Sequence, residues 1–289
     1  MTPPTSSPAR PPAPAEDRIR AAFDRCRSAG ESALVTYVMG GDPDPSTSLA
    51  MALSCVEGGA DLLELGVPFS DPIADGPTIQ AAAQRALSRG TTLEDVLAIA
   101  ARVRARSQIP IALMGYLNPM IAGGVDRLVA GCAQAGVDAL IVPDLLPEEA
   151  GLLAPAAASR GVRLVYLLAP TSNPARVEAA ARAATGFLYY VSVTGVTGAR
   201  RELPPEIGPL VAAVRRATPL PVVIGFGVSS PEQARALGPL ADGVVVGSAI
   251  IDRIAEGGSR AARAERVTRF VRSLKRALRP RGPGRRKGP

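Results

Sequence analysis

The feature that most constrains this chain is a regular beat, in which eight short aliphatic and β-branched runs are each followed by a segment with helical spacing. The runs are residues 34–38, 62–65, 111–113, 139–142, 164–168, 188–192, 222–224 and 243–246. The helical patterns between and after them are 46–57, 92–106, 125–135, 148–159, 175–184, 205–217, 231–237 and 259–278. Runs that are apolar at consecutive positions have no face to offer water, so both sides must be covered. Helical crossovers make neighbouring strands parallel. In 289 residues the economical solution is an α/β fold of the (β/α)8 TIM-barrel type with an extra N-terminal helix, the weaker alternative being an open doubly wound sheet. Gly58-Gly59, Gly136 and Gly161 each precede a strand and suit helix C-caps on the side of the barrel away from the chemistry.

Composition sets the limits of the folded part. Residues 1–15 are a Pro-, Ser- and Ala-rich extension without an apolar signal core, and 279–289 are a Gly/Pro-rich basic tail, which leaves 16–278 as the catalytic barrel. The net charge of +7 gathers in the last helix and that tail, where no aromatic residue is available to stack on bases. A solvated tail is expected, with no nucleic-acid partner. There is no apolar run long enough for a membrane span. Three scattered cysteines, Cys26, Cys55 and Cys132, fit free thiols in a reducing cytoplasm. With no histidine in the chain, Ser-His-Asp and Cys-His catalysis are excluded and no zinc site is expected. Chemistry must run on carboxylates, hydroxyls and backbone dipoles.

The run from Asp61 to Gln80 places Glu64 inside an apolar strand and follows it with a proline-stiffened loop carrying Asp71 and Asp75. A carboxylate between leucines must be partnered, as in a structural salt bridge, or lose its charge on burial. Side chains alternate along a strand, so if Leu63 and Leu65 meet the helices, Glu64 points into the barrel. Its pKa should rise toward neutrality there, while Asp75, on a wetter loop, should ionise more easily. Two such groups can divide acid and base work. Mg²⁺ held by Asp71 and Asp75 is the other reading of that loop.

Two glycine loops close the chain's last strands. Gly225-Phe226-Gly227 follows the seventh and Gly247-Ser248 the eighth, where barrels often hold a phosphate on backbone N–H groups and a helix N-terminus. A third, Gly195-Val-Thr-Gly198, follows the sixth strand and is long enough to close over a ligand.

Through these motifs, over about residues 33–274, the chain resembles the tryptophan synthase α-subunit family. The resemblance implies retro-aldol cleavage of indole-3-glycerol phosphate to indole and glyceraldehyde 3-phosphate, with no cofactor in this subunit. It assigns proton transfer to Glu64, the indole N–H to Asp75 and a supporting role to Tyr189. Gly198, Gly227, Gly247 and Ser248 fall on phosphate-binding positions, and Tyr37, Tyr116 and Phe226 on the walls of an indole pocket. It further implies an α2β2 complex with a pyridoxal-phosphate-dependent β subunit that receives the indole through a tunnel. Asp71 and Pro72 would face that partner, and Thr197 would lie on the closing loop. Val193 departs from the arginine that some members carry ahead of that loop. A free-standing lyase and a catalytically idle phosphate-binding subunit are the alternatives.

Overall fold

The computed structural model describes residues 17–191, 207–225 and 227–279. Eight strands, β1 (Ala33–Met39), β2 (Leu62–Gly66), β3 (Ile111–Met114), β4 (Ala139–Ile141), β5 (Arg163–Leu168), β6 (Leu188–Val191), β7 (Val222–Gly225) and β8 (Gly243–Val246), form a closed barrel in sequence order. Every neighbouring pair is parallel, including β1 with β8. The helices are α1 (Arg18–Ser28), α2 (Pro45–Gly58), α3 (Pro77–Leu87), α4 (Leu93–Arg104), α5 (Leu117–Ile121), α6 (Val125–Ala135), α7 (Ala154–Ser159), α8 (Pro174–Ala183), α9 (Ile207–Ala217), α10 (Pro231–Leu237), α11 (Ser248–Ala255) and α12 (Arg260–Ala277). None of the described helices is long and apolar enough to cross a membrane.

The apolar runs fill two cores, as a sheet covered on both faces requires. Leu34, Val38, Leu63, Leu65, Ile111 and Leu113 pack outward against the helices. Val35, Leu62, Ala112, Ala139, Ile141, Val165, Val223 and Val245 fill the barrel. The expected alternation along β2 therefore holds, with Leu63 and Leu65 outward and Leu62 inward. The N-terminal helix α1 closes the bottom of the barrel, its Ile19 and Phe23 joining the inner core and the Phe23 ring lying 5.8 Å from that of Phe187.

Helix ends follow local chemistry. Asp44, Thr92, Asn173, Ser230 and Ser259 cap helix N-termini through their side chains. Gly59 and Gly136 close α2 and α6 with φ of 96° and 74°, a region costly for residues with a Cβ. The helix expected over 148–159 is instead a 3₁₀ turn, Pro147–Leu152, followed by α7. Pro155 has no N–H for the Gly151 carbonyl four residues back, and its ring crowds that carbonyl, so one continuous α-helix is interrupted there. Helices α3 and α5 add to the expected set: Pro77 suits the first turn of α3 and the alanines after it favour helix, while α5 is a five-residue turn after β3.

The bottom of the barrel is tied by a recurring side-chain device. Asp61, Asp138 and Asp242 each stand just before an even-numbered strand and accept the N–H of a residue at the start of the preceding strand: Leu34 at 2.8 Å, Ile111 at 2.8 Å and Val222 at 2.9 Å. Thr185 makes the fourth member, its hydroxyl accepting Leu164 N–H at 2.8 Å. Basic side chains neutralise the three carboxylates: Arg25 and Lys275 on Asp61, Arg18 and Arg104 on Asp138, Arg215 on Asp242.

Candidate active site

Glu64 sits inside β2 with Tyr37 beside it on β1 and Ala112 beside it on β3. Its residue exposure is 0 %, and neither carboxyl oxygen has a hydrogen-bond partner among the described residues. Burial alone drives its pKa up to about 8, so the acid form dominates at neutral pH. The salt-bridge reading of this residue is thereby removed.

Tyrosines surround this acid where glycines make room. A Cβ on Gly66 would lie 2.0 Å from the Tyr37 hydroxyl oxygen, and one on Gly225 would lie 2.5 Å from the Tyr189 ring. The Glu-Leu-Gly and Gly-Phe-Gly motifs thus leave space for the rings of Tyr37 and Tyr189. Both phenols are buried, and their pKa values are pushed well above the ordinary range, first by burial and then by the nearby charges of Glu64 and Asp75. Tyr37, Glu64, Asp75 and Tyr189 accordingly form one electrostatic cluster at the upper end of the barrel.

Asp75 lies between β2 and α3, half-buried. Burial raises its pKa to about 6, while a hydrogen bond from Tyr116 acts in the opposite direction. Its environment is drier than the sequence suggests, yet the order survives: Asp75 ionises at about 6 and Glu64 at about 8. The loop is held from two sides. The Tyr116 hydroxyl accepts the Ala74 N–H at 2.8 Å, with its ring 5.4 Å from that of Phe69. Gln80, in the first turns of α3, donates to the carbonyls of Asp75 at 2.8 Å and Pro72 at 3.4 Å. Arg85 further along α3 makes a bidentate pair with buried Asp42 at 2.6 and 2.8 Å, fastening this helix to the loop after β1. Asp71 is exposed and bonded to the Ser70 hydroxyl, and Ile73 beside it is 87 % exposed. Among the described residues no cluster of three or more metal-ligating side chains occurs.

At two of the positions expected to bind phosphate, Gly247 precedes α11 and Ser248 opens it. The bonds at the start of this helix begin with Ile250 N–H and Ile251 N–H, both to Gly247 O, so the N–H groups of Ser248 and Ala249 precede the first intrahelical donor. Gly227 has φ of 59°, and a Cβ there would meet none of the described residues within 4 Å. Thr78 on α3 donates to Asp252 on α11 at 3.1 Å, joining the acidic loop's helix to the helix that Ser248 opens. Phe226, Thr197 and Gly198 lie outside the described residues.

The sequence did not single out Gln80, Arg85, Asp42 or the polar contacts of Tyr116. Gln80 and Tyr116 belong to motifs already in view, but which backbone groups their side chains reach is fixed only by the chain's return in three dimensions.

Residues 23–279 match the family described as the tryptophan synthase alpha chain. The chain is 50% identical over 261 residues to the tryptophan synthase alpha chain of Citrifermentans bemidjiense, covering 90% of this chain and 97% of that one. A Geobacter sp. relative of the same description is 51% identical over 261 residues, with 90% and 97% covered. Among solved structures, Mycobacterium tuberculosis tryptophan synthase superposes with a TM-score of 0.85 at 37% identity, covering 91% of this chain and 98% of that one. The tryptophan synthase alpha chain of Legionella pneumophila gives 0.83 at 34% identity, with 91% and 98% covered.

Proposed function

The chain belongs to the tryptophan synthase alpha chain family, and from that premise we propose how its own residues carry out the subunit's reaction, the cleavage of indole-3-glycerol phosphate. The observation that carries the reading is the Glu64 carboxyl, buried without a partner among the described residues, beside two phenols and a second carboxylate. Folding gives up free energy to hold an unsatisfied acid there, and general acid catalysis uses such a group.

Glu64, protonated at neutral pH, gives its proton to indole C3. That breaks the ring's aromaticity and places positive charge on the ring nitrogen. Asp75, ionised above about pH 6, accepts the N–H and offsets that charge. The Glu64 carboxylate so formed then takes the proton of the glycerol hydroxyl next to the ring. As that O–H electron pair becomes a carbonyl, the C–C bond breaks and its electrons restore the indole. Indole and glyceraldehyde 3-phosphate result, and Glu64 ends protonated as it began. Tyr189 shapes the pocket around the acid. Tyr37, Tyr116 and Phe226 wall the ring, and Gly198, Gly227, Gly247 and Ser248 hold the phosphate on backbone N–H groups.

Membership in this family implies a β-subunit partner. We read the assembly as α2β2, with pyridoxal phosphate in the β subunit and indole passed directly to it. Asp71, Pro72 and the exposed Ile73 suit a face that meets another protein, and Thr197 belongs to the segment that would close over substrate. Indole release from indole-3-glycerol phosphate, measured with and without a β subunit, tests the reading. Release that the β subunit accelerates is expected, and no release in either case would overturn it.

A further inference from the structure

We propose that Gln80 is a positioning residue for Asp75: its side-chain amide holds the Asp75 and Pro72 carbonyls, so that α3 carries the loop on which the acid stands. The proposal rests on the reading of Asp75 as the acceptor of the indole N–H, and it adds the residue through which the fold aims that acceptor.

The backbone around Asp75 is held on both sides. Ahead of it the Ala74 N–H is donated to the Tyr116 hydroxyl at 2.8 Å, and after it the Asp75 carbonyl accepts from Gln80 Nε2 at 2.8 Å. A residue has only two soft backbone dihedrals, so fixing peptide groups this close to one Cα sets the direction of its side chain. A carboxamide nitrogen has two protons to give, and the second finds the Pro72 carbonyl at 3.4 Å. The grip falls where the helix lacks its own. Helix α3 starts after Gly76, which has no side chain to cap it, and Pro77, which has no N–H. The Gln80 N–H reaches the Gly76 carbonyl at 3.0 Å, and its side chain turns back over the same stretch to the loop. The helix itself is fastened at two other points, by the bidentate Arg85 pair with buried Asp42 and by Thr78 on Asp252. Gln80 joins the acid's loop to that fixed support.

A role in stability alone would behave differently. Gln80 is exposed and its two bonds lie at the surface, so the carbonyls can turn to water and little stability depends on them. Near the start of a helix a glutamate is well tolerated, because its charge complements the helix dipole. Gln80→Glu keeps the length and the helix but replaces both donors with an oxygen that faces carbonyl oxygens. Gln80→Met keeps the length and removes the donors without adding charge. The two variants therefore separate the aim of Asp75 from the stability of α3.

In the complex with the β subunit, Gln80→Glu and Gln80→Met should each lower kcat for indole release about tenfold, with the melting temperature of the full chain unchanged. In an Asp75→Asn background the same changes should cost less than about threefold, because the charge that Gln80 aims is gone. A second readout follows the Asp75 carboxyl carbon by ¹³C NMR in the full chain labelled at aspartate, its resonance identified by its loss in Asp75→Asn. Burial raises the pKa of this group to about 6, so a loop released in Gln80→Met admits water and the midpoint should fall. The phenols that feel Asp75, those of Tyr37, Tyr116 and Tyr189, stand on other elements and are untouched by the substitution. Unchanged kcat in both variants, or an equal loss with and without the Asp75 carboxylate, would overturn the proposal. Absence of indole release from the parent would instead sink the assigned reaction, and the midpoint alone would then decide the role of Gln80: a fall upholds it, and an unmoved midpoint overturns it.

Discussion

Asp61 and Glu64 stand three residues apart at β2, and the protein treats them in opposite ways. Asp61, 5 % exposed at the bottom of the barrel, accepts from Leu34 N–H at 2.8 Å, from Lys275 at 2.8 Å and from Arg25 at 3.2 Å. Glu64, 0 % exposed, accepts from none of the described residues. Burial is equally severe at both, so burial does not distinguish them. The difference is satisfaction: Asp61 is saturated with donors, whereas Glu64 is left open among the described residues, as the proposed proton transfer to a substrate requires. The barrel repeats the contrast at large, with clamped aspartates along its lower rim and, among phenols at its upper end, an acid that no described residue pairs.

Glu64→Gln breaks the comparison most sharply. The amide keeps the shape and cannot deliver a proton, so indole release should fall by about 10⁴-fold or more while glycerol phosphate binding persists. Stability should respond to pH as well. With its folded pKa at about 8, well above that of an exposed glutamate, Glu64 holds its proton in the folded chain after the unfolded chain has lost it. The folded state then binds more protons, so this group's contribution falls as pH rises from about 4.5 to about 8. The glutamine variant should therefore gain on the parent in urea melts at pH 9 compared with pH 5. Parallel stability curves across that window would show that Glu64 is not held neutral in the folded chain.

Asp75→Asn sharpens the upper end. Its amide oxygen still accepts an N–H but carries no charge against the developing cation, and about 10³-fold of indole release should be lost with the melting temperature unchanged. The expected loss is smaller than for Glu64→Gln, because a hydrogen bond remains. Combined loss of activity and of the folded state would place Asp75 with the clamped aspartates instead.

Asp61→Ala tests the lower end. The substitution strips the acceptor from buried Leu34 N–H and one carboxylate from Lys275, which keeps Glu31 at 2.8 Å. Arg25 is largely in water and loses little. A cost of about 3 kcal/mol is expected, at the low end for breaking a buried pair, with kcat unchanged at temperatures where the variant is folded. Loss of activity ahead of loss of structure would show that the two ends of β2 are not separable.

What the sequence made legible follows the same division. Glu64 stood out because a charge between leucines is an anomaly at any alignment of the strand, and the barrel followed from apolar runs that left no face for water. Asp61, Asp138 and Asp242 were not legible, because an aspartate just before a strand is also an ordinary turn residue. Their partners, Lys275, Arg104 and Arg215, lie 214, 34 and 27 positions away. Tyr116 read as a ring against a flat ligand, and only the path of the chain brought its hydroxyl to Ala74. The drier setting of Asp75 was missed for a related reason: a proline-rich acidic loop looks solvated until Tyr116 and Gln80 are seen to hold it down. The break before α7 could have been read from Pro155, but the surrounding alanines and glutamates favour helix strongly enough to hide it.

Thr185 gives the smallest and most discriminating effect, because it is the uncharged member of the lower-rim series. Its hydroxyl accepts the Leu164 N–H at 2.8 Å, as the aspartates do for Leu34, Ile111 and Val222, but with no ion pair on its oxygen. Valine has nearly the same shape and removes only the acceptor. A neutral hydrogen bond contributes about 1 kcal/mol, and the donor left behind lies at a strand start where the Thr185 and Gly186 N–H groups already bond to Leu164 O at 3.0 and 3.2 Å, so local geometry should persist. Thr185→Val should thus cost about 1 kcal/mol in urea unfolding, with indole release unchanged. If it costs as much as Asp61→Ala, the clamp's strength lies in seating the backbone N–H and the basic partners add nothing. If the cost is near zero, the neutral member is ornamental, and the charged partners account for what the aspartates contribute.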